Sequence, residues 1–173
     1  RGSDYTFKGE YEQALADHAE SIRLKPTDPL AYRNRGLTYA LKGDYEQALG
    51  DFNAALRLDP QDAATFMDRG KTWQLALDHD KAIADYDEAI ALDPNYAPAY
   101  NNRGAAWSER GENERALSDF NEAVRLDPKD PKVFINRAWC WGRNGENDKL
   151  ISDLNEALNL DPKLVRNILR FPG

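Results

Sequence analysis

The feature that most constrains this chain is a repeat with a period of 34 residues. A proline marks the period, and it recurs as Pro26, Pro60, Pro94, Pro128 and Pro162. The intervening sequences are near-copies of one another, of which Ala97 to Asp130 is the most regular. A fixed period in this range predicts stacked units that pack on their neighbours rather than one closed core. Length therefore measures the number of repeats here, not the number of domains.

Each repeat carries the signals of two helices. In the repeat 29–62, Asp28 followed by Pro29 predicts a helix start. A carboxylate there accepts hydrogen bonds from free amide groups, and a first-turn proline lacks an amide that would have no partner anyway. Apolar residues spaced three to four apart follow as far as Lys42, and Gly43 breaks the pattern. We therefore predict a first helix from about Pro29 to Lys42.

The second helix of this repeat is predicted from about Tyr45 to Leu58. Asp44 precedes it and Gln47 lies three residues later, which predicts a capping box. Leu58 is among the residues that we expect on its buried side. Equivalent antiparallel pairs are predicted at Ala63 to Ala76 with His79 to Leu92, Ala97 to Arg110 with Asn113 to Leu126, and Pro131 to Asn144 with Asn147 to Leu160.

Some repeats depart from the pattern. Leu77 stands where the other repeats have Gly43, Gly111 and Gly145, so we expect the turn of that repeat to use Asp78 instead. In the last repeat, Ala138 replaces a glycine and Leu154 replaces an aromatic residue.

The ends of the chain carry incomplete repeats. Arg1 and Gly2 are in register with Arg35 and Gly36, so we expect the chain to open in the middle of a first helix, as a fragment of a longer array. An Arg-Gly-Ser start is also compatible with the remnant of an expression tag. The predicted organisation is one repeat domain, 1–173, with a partial repeat at 1–28, full repeats at 29–62, 63–96, 97–130 and 131–164, and a short C-terminal cap or truncated next helix at 165–173.

Several columns of residues follow the period. They are an aromatic (Tyr32, Phe66, Tyr100, Phe134), a glycine (Gly36, Gly70, Gly104), a second aromatic (Tyr39, Trp73, Trp107, Trp141), an alanine (Ala48, Ala82, Ala116), a third aromatic (Phe52, Tyr86, Phe120), a further alanine (Ala55, Ala89, Ala123, Ala157) and the proline. With these columns the chain resembles the tetratricopeptide repeat family over nearly its whole length. The resemblance implies an all-α fold, a right-handed superhelical solenoid of antiparallel helix-turn-helix repeats.

One column differs from that family, which usually has leucine just before the glycine. Arginine stands there instead, as Arg35, Arg69, Arg103 and Arg137, and an aspartate recurs in the second helix as Asp17, Asp51, Asp85, Asp119 and Asp153. Each repeat thus supplies one cation and one anion to its helix interface. We predict a ladder of arginine–aspartate ion pairs along the array. The alternative is that the arginines point into the groove and bind anions.

Composition excludes several classes of function. The formal charge of −7 argues against a generic nucleic-acid binder, which needs a basic surface. The sequence has no apolar run of the ~20 residues that a membrane-spanning helix requires. Together with the lack of a signal peptide, this favours a cytoplasmic location. The lone cysteine, Cys140, is predicted to be a buried thiol. Because the residues form no catalytic or metal-ligating constellation, we expect neither an enzyme nor a cofactor.

The resemblance implies a concave groove, lined by the first helix of each repeat, that binds a peptide. The family's groove columns correspond here to candidate partner-binding residues Arg33, Asn34, Lys71, Asn101, Asn102, Lys132, Asn136, Trp139 and Arg143, with apolar neighbours that include Leu30, Leu41 and Leu75. Asparagine amides on a rigid helix can bond a peptide main chain, with helix-surface solvation as the alternative. An exposed tryptophan is typical of an interaction hot spot, although Trp139 could instead pack against the C-terminal segment.

We therefore predict a non-catalytic protein-interaction scaffold whose groove binds a peptide or extended segment of apolar and acidic character. The cations Arg33, Lys71, Lys132 and Arg143 outnumber the acids Asp68 and Glu109 on this face. We expect a monomer or weak self-association through the repeat ends. Two alternatives stay open, a structural module that stacks through its terminal repeats and a regulatory segment of a larger protein.

Overall fold

The computed structural model describes the backbone of residues 2–164 and the side chains of residues 10–164. The predicted cap or next helix at 165–173 and the ion pair between Arg1 and Asp17 lie outside these residues. The chain divides into two compact units, Arg1–Leu92 and Asp93–Gly173. Each is built from neighbouring helices that pack in pairs.

The described residues form helices joined by short turns and contain no strand. The first unit holds α1 (Gly2–Leu24), α2 (Pro29–Lys42), α3 (Tyr45–Leu58), α4 (Ala63–Leu75) and α5 (His79–Leu92). The second unit holds α6 (Ala97–Glu109), α7 (Asn113–Leu126), α8 (Pro131–Arg143) and α9 (Asn147–Leu160). These elements confirm the predicted all-α fold of helix pairs. In the described part of the chain, every helix is too short or too polar to cross a bilayer.

The predicted bounds of the repeat helices hold to within one residue. The first helices α4, α6 and α8 each end one residue earlier than predicted, and the other bounds agree. The opening segment differs more, because α1 continues through Gly9 as one helix. The chain thus opens within a helix, as expected, and this helix continues without a break into the segment that corresponds to a second helix.

The helix termini confirm one predicted cap and correct another. Asp28 caps α2 as predicted, because its Oδ1 accepts a hydrogen bond from the Leu30 amide at 3.1 Å. Asp44 precedes α3 but caps none of its amides through its side chain. Its carboxylate instead lies 3.1 Å from the Lys42 ammonium. The predicted capping box at Asp44 is therefore wrong, because an ion pair across the turn holds the carboxylate.

The turn of the second repeat corrects another prediction. Leu77, not Asp78, takes the left-handed backbone conformation, with φ at 63°. Gly43, Gly111 and Gly145 have φ of 88°, 81° and 77° at the equivalent place. The geometry of the helix pair thus requires a left-handed residue at this position whatever its side chain. A leucine adopts it at a steric cost that a glycine avoids.

Close packing of the two helices explains the glycine column. A Cβ atom on Gly70 would lie 2.7 Å from Cε1 of Tyr86, and one on Gly104 would lie 2.9 Å from Cε1 of Phe120. Tyr86 and Phe120 are themselves buried, at 0% and 1% exposure. In these two repeats the helices therefore approach more closely than a Cβ atom would allow. Leu58, which we expected to be buried, is exposed at the end of α3.

Candidate binding surface

The constant spacing of arginine and aspartate produces four bidentate ion pairs. In each repeat the arginine Nε and Nη2 donate to the two carboxylate oxygens at 2.6–2.8 Å; the pairs are Arg35–Asp51, Arg69–Asp85, Arg103–Asp119 and Arg137–Asp153. The ladder predicted from the sequence is present in these repeats. The alternative, in which the arginines point into the groove, is excluded for these four residues.

Further contacts fix each arginine of the ladder. The Arg69 guanidinium lies 5.4 Å from the centroid of the Phe66 ring, three residues earlier on the same helix. Its Nη1 also donates to Oδ1 of Asn53 at 2.7 Å, on the second helix of the preceding repeat. Arg137 makes the same bond to Asn121 at 2.8 Å. These arginines therefore join neighbouring repeats as well as the two helices of one repeat.

The ladder is partly buried, and this burial has an electrostatic cost. Burial raises the pKa of the Asp85 carboxyl above its ordinary value, while the hydrogen bonds from Arg69 act in the opposite direction. The attraction between the two groups thus opposes the cost of removing the carboxylate from water. Such a pair contributes more to the register of the helices than to net stability.

A second set of bonds links successive first helices, and it involves several predicted groove residues. Arg33 Nε donates to Asp68 Oδ2 at 2.7 Å. Asn136 Nδ2 donates to Asn101 Oδ1 at 2.9 Å, between the equivalent positions of α6 and α8. Asn101 is also buried, at 8% exposure.

These bonds give three predicted groove residues a structural role. Arg33, Asn101 and Asn136 join adjacent first helices within the units, and their part in binding a partner stays a prediction. Each bond joins positions 35 residues apart, because neighbouring helices are offset by one residue relative to the repeat period. That spacing recurs in the sequence and was a signal from which these bonds could have been predicted.

Other predicted residues do lie at the surface of the first helices. Asn34, Lys71, Lys132 and Arg143 are exposed, and Asn102 is half-buried. The first helices of the first unit also carry exposed apolar residues, Leu30 at 54%, Leu41 at 72% and Leu75 at 57%. In the second unit Trp139 is 50% exposed.

An open cavity in the second unit brings several of these residues together. Its volume is about 200 Å³, and it is lined by Ala105, Ser108, Glu109, Phe120, Asn136, Trp139 and Arg143. Arg143 is held at its edge, because its Nη1 donates to the backbone oxygen of Ser108 at 2.7 Å and to the hydroxyl at 2.9 Å. Helix spacing places Lys132, Asn136, Trp139 and Arg143 along one stripe of α8.

The remaining tryptophans differ from Trp139 in having a cation over the ring. Lys81 lies 4.3 Å from the Trp73 centroid, and Lys149 lies 4.4 Å from that of Trp141. Both lysines come from the first turn of the following helix. Trp107 is covered in the same way, by Arg115 at 4.7 Å. These contacts were not predicted, although an aromatic residue and a cation eight positions apart recur in three repeats of the sequence.

Fold and surface together define a helical repeat protein that presents side chains along its first helices. The chain belongs to the tetratricopeptide repeat family. Sequence models of that family match residues 5–70 and 97–130, each described as a tetratricopeptide repeat, and residues 78–107, described as a TPR repeat. Proteins of this family are typically non-catalytic scaffolds that bind proteins or peptides. A comparison with curated proteins finds no match.

Solved structures show the same fold at low sequence identity. MamA residues 41 to the end from Desulfovibrio magneticus RS-1 is 23% identical with a TM-score of 0.80, covering 90% of this chain and 88% of that one. The thermophilic TPR protein TTC0263 from Thermus thermophilus is 20% identical with a TM-score of 0.78, covering 98% and 92%. YrrB, described as a TPR protein with an unusual peptide-binding site, is 24% identical with a TM-score of 0.73, covering 94% and 85%.

Proposed function

We propose that this protein is a non-catalytic scaffold that binds an extended peptide of a partner protein along its first helices. The observation that carries the proposal is the half-exposed Trp139 in the open cavity of the second unit, beside Arg143. When a partner's apolar group displaces water from an exposed indole in a concave surface, binding becomes more favourable. The YrrB description gives a precedent for peptide binding on this fold.

The chemistry of the stripe on α8 indicates the character of the peptide. Trp139 supplies an apolar surface, and Lys132 and Arg143 supply positive charge on either side of it. The bonds from Arg143 to Ser108 use Nη1, and a guanidinium carries further N–H donors that suit a carboxylate. A peptide with one bulky apolar side chain and a nearby aspartate or glutamate matches this arrangement.

The first unit offers a separate surface of similar character. Lys71 is exposed on α4, one turn before Leu75, and Leu41 at the end of α2 is also exposed. We assign to it the same class of ligand, an apolar and acidic segment. Asn34 and Asn102 are the remaining amide candidates for main-chain contacts, in the first and second unit respectively.

A random peptide library displayed on phage tests the proposal. Peptides are selected on the wild-type chain, and their affinities are then measured by fluorescence anisotropy. We expect Trp139→Ala to weaken the selected peptides by about tenfold or more, as for a hot-spot residue. Arg143→Glu should remove the preference for acidic peptides, and Lys71→Glu tests the first unit in the same way.

The matched control is Leu77→Ala. It also truncates an exposed apolar side chain, but this side chain lies in a turn and not on a first helix. It should leave every affinity unchanged. Equal binding of the selected peptides to wild type, Trp139→Ala and Arg143→Glu would exclude the second-unit surface as the binding site.

A further inference from the structure

The turn between α4 and α5 presents an apolar side chain to solvent. Leu77 is 79% exposed, and Leu75, two residues earlier, is 57% exposed. Leu77 also has a left-handed backbone, with φ at 63°, where the other described helix pairs have a glycine. The leucine therefore carries a steric cost and gains little packing within its own chain. Such an outlier, combined with an exposed apolar side chain, indicates a contact with another molecule.

Acidic residues lie beside this leucine. Asp78 follows it directly and holds the Lys81 ammonium at 2.7 Å. Asp80 is exposed in the first turn of α5, three residues after Leu77. We name residues 75–80 the acidic tip. It combines a bulky apolar side chain with an exposed carboxylate.

The open cavity of the second unit has the complementary composition. Trp139 gives it a half-exposed apolar wall, and Arg143 lies one helical turn further along α8. Within the described part of the chain, neither Arg143 nor Lys132 forms an ion pair with an acid, and Glu109 is the acid in the lining. Positive charge therefore prevails on this stripe of α8, although the protein as a whole is acidic.

The cavity is also large enough for a leucine. Its volume is about 200 Å³. An apolar cavity of about 150 Å³ can hold a benzene molecule. The four carbons of a leucine side chain occupy less space than the six of benzene. One leucine therefore fits beside the Trp139 ring.

We infer that the acidic tip of one copy of this protein docks into the cavity of a second copy. Leu77 packs against Trp139 of the second copy. The Asp80 carboxylate pairs with Arg143, whose bonds to Ser108 use only Nη1 and leave Nε and Nη2 for a carboxylate. This inference rests on the proposed function, because it uses the same cavity and assigns its ligand to the same protein.

The resulting interface joins two different surfaces. Each copy has one such tip, because a glycine replaces Leu77 in the other described helix pairs. Lys71 of the first unit stands at the position of Trp139, so the indole is present in the second unit alone of these two. A docked copy thus still offers a tip or a cavity to the next copy. Association of this kind continues into rings or filaments, and it does not use the terminal repeats.

Light scattering of the full chain tests the inference. The mean mass should rise with concentration up to about 1 mM, because one leucine and one ion pair give weak association. Leu77→Asn should raise the dissociation constant about tenfold or more, and asparagine tolerates the left-handed turn. Trp139→Ala should have the same effect. The control is Leu24→Asn, at a leucine of α1 that is 69% exposed, and it should associate as wild type does.

A mixture of the two variants tests whether the interface joins tip to cavity. Leu77→Asn retains an intact cavity, and Trp139→Ala retains an intact tip. Each variant alone should remain mostly monomeric where the wild type associates. Their equimolar mixture should reach the mass of a dimer and no more, because one productive contact per pair remains.

Charge reversal tests the ion pair. Asp80→Lys and Arg143→Glu should each weaken association about tenfold or more, since like charges then meet at the interface. A chain with both substitutions should regain most of the association. Equal weakening in the double variant would contradict the assigned ion pair.

Three results would overturn the inference: a wild type that stays monomeric at every concentration, association that Leu77→Asn or Trp139→Ala leaves unchanged, and a mixture of these variants that stays monomeric. A monomeric wild type that still binds selected peptides would leave the proposed function standing and give the cavity to a different protein. If the wild type bound no peptide either, both proposals would fail. Peptide affinities are measured on chains too dilute to associate, so Leu77 does not affect them.

Discussion

Arg69 and Asp85 form a bidentate ion pair across the helix interface of the second repeat, with Nη2–Oδ1 at 2.6 Å and Nε–Oδ2 at 2.8 Å. Their side chains are 21% and 6% exposed. The same geometry recurs in the other described repeats. A cation and an anion that are partly buried together fix the relative position of two helices, since a shift of either helix would leave a charge without its partner.

Removing the carboxylate of this pair should destabilise the protein. Asp85→Ala leaves the Arg69 guanidinium partly buried and without its main partner, and we expect a loss of ~3 kcal/mol in the free energy of unfolding. Urea denaturation followed by circular dichroism measures it. Glu122→Ala is the control, because Glu122 also pairs with an arginine, Arg125, but at the surface. A wild-type midpoint for Asp85→Ala would contradict a structural role for the ladder.

The glycine that faces Phe120 should not tolerate a methyl group. Gly104→Ala would place a Cβ atom 2.9 Å from the ring, so we expect a loss of about 1–3 kcal/mol in the free energy of unfolding. Adding Phe120→Leu should recover part of this loss, because the fourth repeat combines Ala138 with Leu154 at the same two positions.

Gly50→Ala is the control for that substitution. A Cβ atom there would meet nothing within 4 Å. It should therefore stabilise the helix by about 0.5–1 kcal/mol through the lower chain entropy of alanine.

The double variant of Gly104 and Phe120 tests the steric explanation. If its loss in the free energy of unfolding equalled the sum of the losses of the two single variants, steric contact would not be the cause.

The turn of the second repeat can be stabilised by replacing Leu77, whose backbone conformation is left-handed. Leu77 is 79% exposed, and its φ of 63° is unfavourable for any residue with a Cβ atom. Leu77→Gly should raise the free energy of unfolding by about 1 kcal/mol. Ala84→Gly, at an exposed position within α5, should lower it by about 1 kcal/mol, because the helix disfavours glycine. Thermal midpoints that shift in the same direction would refute the conformational explanation.

Cys140 should react slowly in the folded protein. Its side chain is fully buried, and its Sγ donates to the Asn113 backbone oxygen at 3.5 Å. Burial raises the pKa of the Cys140 thiol, so less of the reactive thiolate is present at neutral pH. We expect slow modification by iodoacetamide in buffer and rapid modification in urea. A cysteine introduced by Ser118→Cys, on the exposed face of α7, should react rapidly in both conditions. Equal rates at both sites would contradict a protected thiol.

Contacts within one repeat could be predicted from the sequence, whereas contacts between neighbouring repeats could not. Asp85 follows Arg69 by a constant spacing in every copy, so period and helix geometry suffice to pair them. Arg33 and Asp68, or Asn101 and Asn136, lie in different repeats and meet through an offset of one residue between neighbouring helices. The groove columns were assigned without that offset, and they therefore included residues that bind one another.

The sequence by itself determined the repeat, the helix bounds and the residues of the ion-pair ladder, because these depend on local spacing and on a period visible in the chain. Only the tertiary structure decided which surface residues remain available, because exposure depends on the helix that packs alongside. Trp139 and Ile151 are the clearest cases. Ile151 stands at the repeat position of the buried Leu49 and Leu117, and Trp139 stands at the position of the exposed Lys71, so residue type alone did not predict either exposure.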